Sequence, residues 1–153
     1  MSKVLFLHGL GSKPGGTKPK YLEKHGFSVF NPHLPKSSWK ESIEAAQKII
    51  DDEEPDVIVG SSRGGAVAMT VNIHNSKLVL IAPAWKRFQV VPSISKNTIV
   101  LHSPYDDVVM FKDSNQLKEQ CNATLISCGK THRMNDDEAL DALLDAVKWS
   151  TKS

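Results

Sequence analysis

The residues best suited to chemistry are Gly60-Ser61-Ser62-Arg63-Gly64-Gly65. They read G-x-S-x-G with Ser62 at the centre. Centring the motif on Ser61 would put Val59 and Arg63 where glycines are required. Gly60 and Gly64 flank a residue forced into a strained backbone conformation, and they remove side chains that would clash there. Such a turn lifts one hydroxyl off the end of a sheet, beside the positive end of a helix. The implied chemistry is acyl transfer. It needs a base to take the hydroxyl proton, an acid to orient that base, and N–H donors for the oxyanion. Downstream, Asp106 or Asp107 can supply the acid and His132 the base. Taken alone, the motif is equally a glycine-rich connection without chemistry.

The rest of the chain must position these groups. Short apolar runs at 4–7, 27–30, 56–59, 78–81, 98–101 and 124–127 read as strands, the first of them buried on both faces. Helical patterns lie between them. One spans about 18–25, and another begins at the capping box Ser38-x-x-Glu41 and ends at Pro55. A third covers 66–72 and a fourth runs around 111–120. The last is expected to be capped by Asn135-x-x-Glu138, with Leu140, Leu143, Leu144 and Val147 on one face. Strands alternating with helices predict a three-layer α/β/α fold with a mainly parallel six-stranded sheet. Ligands bind such sheets at the carboxyl ends of the strands. Ser62 follows the third strand, Asp106 and Asp107 the fifth, and His132 the sixth, so all are expected on one edge.

With these pieces in view the chain resembles the α/β-hydrolase superfamily. The matching residues are His8-Gly9, Gly60 to Gly65, Leu101-His102-Ser103-Pro104-Tyr105-Asp106-Asp107-Val108-Val109, and Gly129-Lys130-Thr131-His132. They extend over almost the whole chain in the family's order. The resemblance implies Ser62 as nucleophile, His132 as general base and Asp106, rather than Asp107, as the orienting acid. It also implies an oxyanion hole made by the backbone N–H groups of Arg63 and Leu10, with Gly11 as a substitute for the latter. The chain departs from the family pattern at Ser103, which replaces a glycine. It also begins directly at the first parallel strand, and only residues 85–97 occupy the position of a cap. A single domain over 1–153, a minimal hydrolase core without a cap, is therefore expected, with an open site. Gly11, Leu34, Trp85 and Met134 are candidate substrate contacts, the last three together with Phe88 as an apolar rim. Lys13, Lys36, Arg63, Lys86, Arg87, Lys130 and Arg133 fall in strand-end loops and could attract an anionic substrate.

Bulk properties narrow the alternatives. The 153 residues fit one domain, 40% hydrophobic and 24% charged, as in ordinary globular proteins. The net charge of +2 does not call for a nucleic-acid partner. The apolar runs are too short for a signal peptide or a membrane span, so neither is expected. Cys121 and Cys128 match neither a redox nor a zinc spacing, and a reducing, cytoplasmic setting is expected. No histidine pair has metal-ligand spacing, and no glycine loop has a nucleotide-binding pattern. The sequence thus predicts a cofactor-free, metal-free serine hydrolase acting on a small-molecule carboxylic ester or thioester. A binding protein that retains the fold, or an acyltransferase, is the rival reading. The sequence sets no oligomeric state.

Overall fold

A computed structural model describes residues 2–152. The elements are β1 (Lys3–Leu7), α1 (Thr17–Lys24), β2 (Ser28–Phe30), α2 (Trp39–Glu53), β3 (Val57–Ser61), α3 (Arg63–Thr70), β4 (Lys77–Ile81), β5 (Ile99–His102), α4 (Phe111–Cys121), β6 (Thr124–Ser127) and α5 (Asp137–Thr151). The six strands form one sheet in the order β2-β1-β3-β4-β5-β6. All of its pairings are parallel.

The continuous apolar strands reflect burial on both faces. Along β1, Val4 and Phe6 join one core, with Leu22 of α1 and Leu143 and Val147 of α5. Leu5 and Leu7 join the other, with Ala46 and Ile50 of α2, Val67 of α3 and Leu117 of α4. The sheet therefore lies between α1 and α5 on one side and α2, α3 and α4 on the other. Each fully buried Leu or Val stabilises the fold by about 1.5–3 kcal/mol. Register aligns Leu7 with Gly60, Ser61 with Ile81, and His102 with Ser127. The loops after β1, β3, β5 and β6 consequently emerge on the same edge.

Two local features differ from the sequence reading. Helix α3 begins at Arg63, three residues before the expected start, because Gly64 and Gly65 are helical despite glycine's poor propensity. Close packing requires them there: a Cβ at Gly64 would collide with the Leu7 carbonyl, and one at Gly65 would sit 2.9 Å from Pro83 Cα. The N-cap of α5 is Asp136, whose carboxylate accepts from the Ala139 N–H. Glu138 instead accepts from the Gly129 N–H at 2.6 Å. Cys121 and Cys128 are free thiols, and burial pushes the Cys128 thiol up to about 11. Among the described residues, no helix is long and apolar enough to cross a membrane.

Candidate active site

Ser62 sits between β3 and α3 with φ 55° and ψ −114°. A non-glycine residue at positive φ outside a regular turn is strained, and the surroundings must hold it there. Ser62 N–H donates to the Ile81 carbonyl, and the Ser62 carbonyl accepts from Gly65, Ala66 and Ala84. Glycines let the neighbouring backbones approach: a Cβ at Gly60 would lie 2.5 Å from the Gly64 carbonyl oxygen. The elbow is thus held by β4, by the turn that follows it and by the first turn of α3.

His132 Nε2 lies 3.1 Å from Ser62 Oγ, and His132 Nδ1 lies 2.6 Å from Asp106 Oδ2. A carboxylate accepts only, so the His132 proton resides on Nδ1 and Nε2 receives the Ser62 hydroxyl. The Asp106 carboxylate is fully employed. Its Oδ1 accepts from the N–H groups of Val108 and Val109, and its Oδ2 also accepts from His102 Nε2 at 3.1 Å. Burial works against the Asp106 anion, but the hydrogen bonds from His132, Val109 and Val108 outweigh it. They hold its pKa below the ordinary carboxylate value. Asp107 is exposed.

His102 is a more connected residue than its type reveals. It is wholly buried, and its Nε2 also faces the Val109 carbonyl at 2.9 Å. Two acceptors on Nε2 place its proton there, leaving Nδ1 to accept from the Ser114 hydroxyl at 2.6 Å. Burial lowers its pKa, so it is a neutral strut beneath Asp106. Ser103, where the family pattern has glycine, donates from Oγ to the Gly129 carbonyl. That bond ties the Asp106 loop to the His132 loop.

The loop after β1 closes the other side. A Cβ at Gly9 would lie 3.2 Å from Ser62 Cβ and 3.9 Å from the Arg63 nitrogen, so glycine lets this loop pack on the elbow. His8 is buried, donates from Nδ1 to the Gly9 carbonyl and accepts the Leu34 N–H on Nε2. Among the described residues no hydrogen bond occupies the backbone N–H of Leu10 or Arg63. A cavity of about 430 Å³ opens between this loop and the elbow, lined by Ser62, His132, Leu10 and Gly11 among others. A Cβ at Gly11 would meet open space.

Three expected apolar contacts are not in this cavity. Leu34, Trp85 and Met134 are between 1% and 4% exposed and belong to the cores. Hydrophobic burial wins at each: Leu34 packs under the β1 loop, and Trp85 donates its indole N–H to the Asp113 carbonyl. Met134, at φ 55°, pins the His132 loop into the core beside Gly129. Phe88 stacks on Trp39 at 5.3 Å. Arg63 also departs from the role of a free cation. Its buried guanidinium donates to the carbonyls of Pro35 and Ser38 and lies over Trp39 and Phe88. The residue that sequence reasoning missed is Lys18, whose position inside a helix pattern hid its place on the cavity wall.

Solved proteins of the α/β-hydrolase superfamily share this fold. The ydeN gene product of B. subtilis superposes with a TM-score of 0.79 at 14% identity, over 100% of both chains. Mouse alpha/beta hydrolase domain-containing protein 10 gives 0.75 at 14%, over 95% of this chain and 88% of that one. The esterase domain of a Rhodothermus marinus protein gives 0.71 at 16%, over 99% and 86%. These likenesses establish the fold. The chain itself belongs to the uncharacterised protein family UPF0227, whose model matches residues 3–98. No curated protein matches it.

Proposed function

We propose that the protein is a serine hydrolase that cleaves a small carboxylic ester or thioester through an acyl-enzyme. The observation that carries this reading is the continuous relay from Ser62 Oγ to His132 Nε2, and from His132 Nδ1 to Asp106 Oδ2, at 3.1 and 2.6 Å. It starts at a strained serine on a cavity wall. In this reading Ser62 Oγ attacks the acyl carbon and its proton passes to His132 Nε2. Asp106 stabilises the imidazolium while the N–H groups of Leu10 and Arg63 hold the oxyanion. Collapse expels the alcohol or thiol, which takes the proton from Nε2. Water then repeats the sequence, releasing the acid and restoring Ser62. The chemistry requires no cofactor or metal. The named superposing esterase and hydrolase-domain proteins fit this class of reaction.

The test is covalent labelling with a fluorophosphonate. Wild type is expected to form one adduct, and Ser62→Ala none. Ester turnover by Ser62→Ala should fall by about 10³-fold or more. An unlabelled wild type would refute the activated serine, and an adduct on Ser62→Ala would place the nucleophile elsewhere.

A further inference from the structure

The whole chain is nearly balanced, with 19 Lys and Arg against 17 Asp and Glu. The cavity beside Ser62 is not. Lys13, Lys18, Arg87 and Arg133 line it, and no Asp or Glu does so among the described residues. Elsewhere cations find carboxylates: Lys3 with Glu53, Lys48 with Asp52, Lys86 with Asp113. The four cavity cations have no carboxylate partner among the described residues.

Lys18 separates this wall from a merely solvated surface. Its half-buried side chain is held in place, donating to the Arg133 carbonyl at 2.6 Å and to Asn135 Oδ1 at 2.9 Å. An ammonium has three donors, so one remains uncommitted. Burial first, and the Arg133 charge second, lower its pKa to about 8. A cation held beside another cation in a partly desolvated place is complementary to an anion. The adjoining first turn of α1 has no side-chain cap and no acidic residue.

We propose that the substrate carries an anionic group, a carboxylate or a phosphate, close to the scissile ester, and that Lys18 and Arg133 are the main groups that recognise it. Lys13 and Arg87 raise the potential around it. The inference rests on the serine-hydrolase reading for its substrate form, but the anion site is separately measurable.

The experiment compares matched esters at low and high salt. In the first pair, p-nitrophenyl butyrate is set against mono-p-nitrophenyl succinate, in which a carboxylate replaces the terminal methyl. In the second, phenyl butyrate is set against 4-butyryloxybenzoate, which carries the anion on the alcohol side. At least one anionic ester should be favoured in kcat/KM by about tenfold or more at low salt, with the preference shrinking as salt rises. Lys18→Met and Arg133→Gln should each reduce the anionic-to-neutral ratio several-fold, whereas Lys96→Met, a charge loss away from the cavity, should leave that ratio alone. Binding of monomethyl succinate to Ser62→Ala, followed by amide chemical shifts, needs no turnover. Saturable shifts at residues 13–18 and 133 support the anion site even if no ester is hydrolysed. Equal use of charged and neutral esters in both pairs, or no such shifts, overturns the anion site while leaving the nucleophile unaffected.

Discussion

Asp106 and Asp107 are adjacent and chemically identical, yet their surroundings differ. Asp106 is buried and gathers two backbone N–H groups and two imidazoles, while Asp107 faces solvent. Asp106→Asn would offer an amide where His132 needs an acceptor, disturbing the tautomer that leaves Nε2 free for Ser62. Turnover of p-nitrophenyl acetate should then fall by about 10³–10⁴-fold, with Asp107→Asn within about twofold of wild type. Comparable small losses in both variants would refute the assignment. Sequence pattern alone leaves the two acids unresolved, because spacing along a turn does not reveal which side chain points inward. The resemblance to the hydrolase pattern favours Asp106, and the hydrogen bonds give that preference a physical basis. The opposite holds for Leu34, Trp85 and Met134. Their types fit an apolar rim equally well, and only three-dimensional packing consigns them to the core.

At the scale of elements, the junction of β3 and α3 is where composition and geometry agree most closely. The apolar run and the glycines make a strand, a turn and a helix legible. What is not legible is how early the helix starts, because glycine's low propensity argues against Gly64 and Gly65 as helical residues. Contact between α3 and the end of β1 overrides that propensity. Gly64→Ala should therefore cost stability although alanine is the better helix former. Its methyl would enter the Leu7 carbonyl, and the backbone shift needed to relieve this should cost about 3 kcal/mol. Urea unfolding measures the change, and an equal or higher midpoint would contradict the close approach. The inner strands were legible for a simpler reason: burial on both faces demands continuous apolar runs, and β1, β3, β4 and β5 are buried along almost their whole length. Lys18 illustrates the converse. Nothing in a short helix pattern indicates that one of its lysines will face a cavity built mainly from loops.

For the whole molecule, the buried histidines and Asp106 set the response to acid. Burial depresses the pKa values of His8 and His102 in the folded chain. Below about pH 6.5 the unfolded chain therefore takes up protons that the folded chain resists, and stability falls. Asp106 acts lower. Its folded pKa lies under the ordinary carboxylate value, so its contribution is intact above about pH 4 and is lost as pH drops through the folded value. Thermal melts should show a falling midpoint from pH 7.5 to 5 and a further loss below pH 4. A flat midpoint across the first interval would contradict neutral buried imidazoles. The position of the sheet edge has a separate consequence. Ser62 hangs from β3, which is flanked by β1 and β4, whereas His132 follows β6, which has a neighbour on one side only and leaves Thr124, Ile126 and Ser127 exposed. Edge structure opens at lower free energy than the centre of a sheet. The two ends of this hydrogen-bonded chain thus differ in durability: a denaturant can detach His132 while the elbow persists. Ester turnover should disappear at a lower urea concentration than the far-ultraviolet signal of the fold, with amide exchange around 124–132 accelerating first. Activity and circular dichroism that vanish together would show that the edge is as durable as the centre.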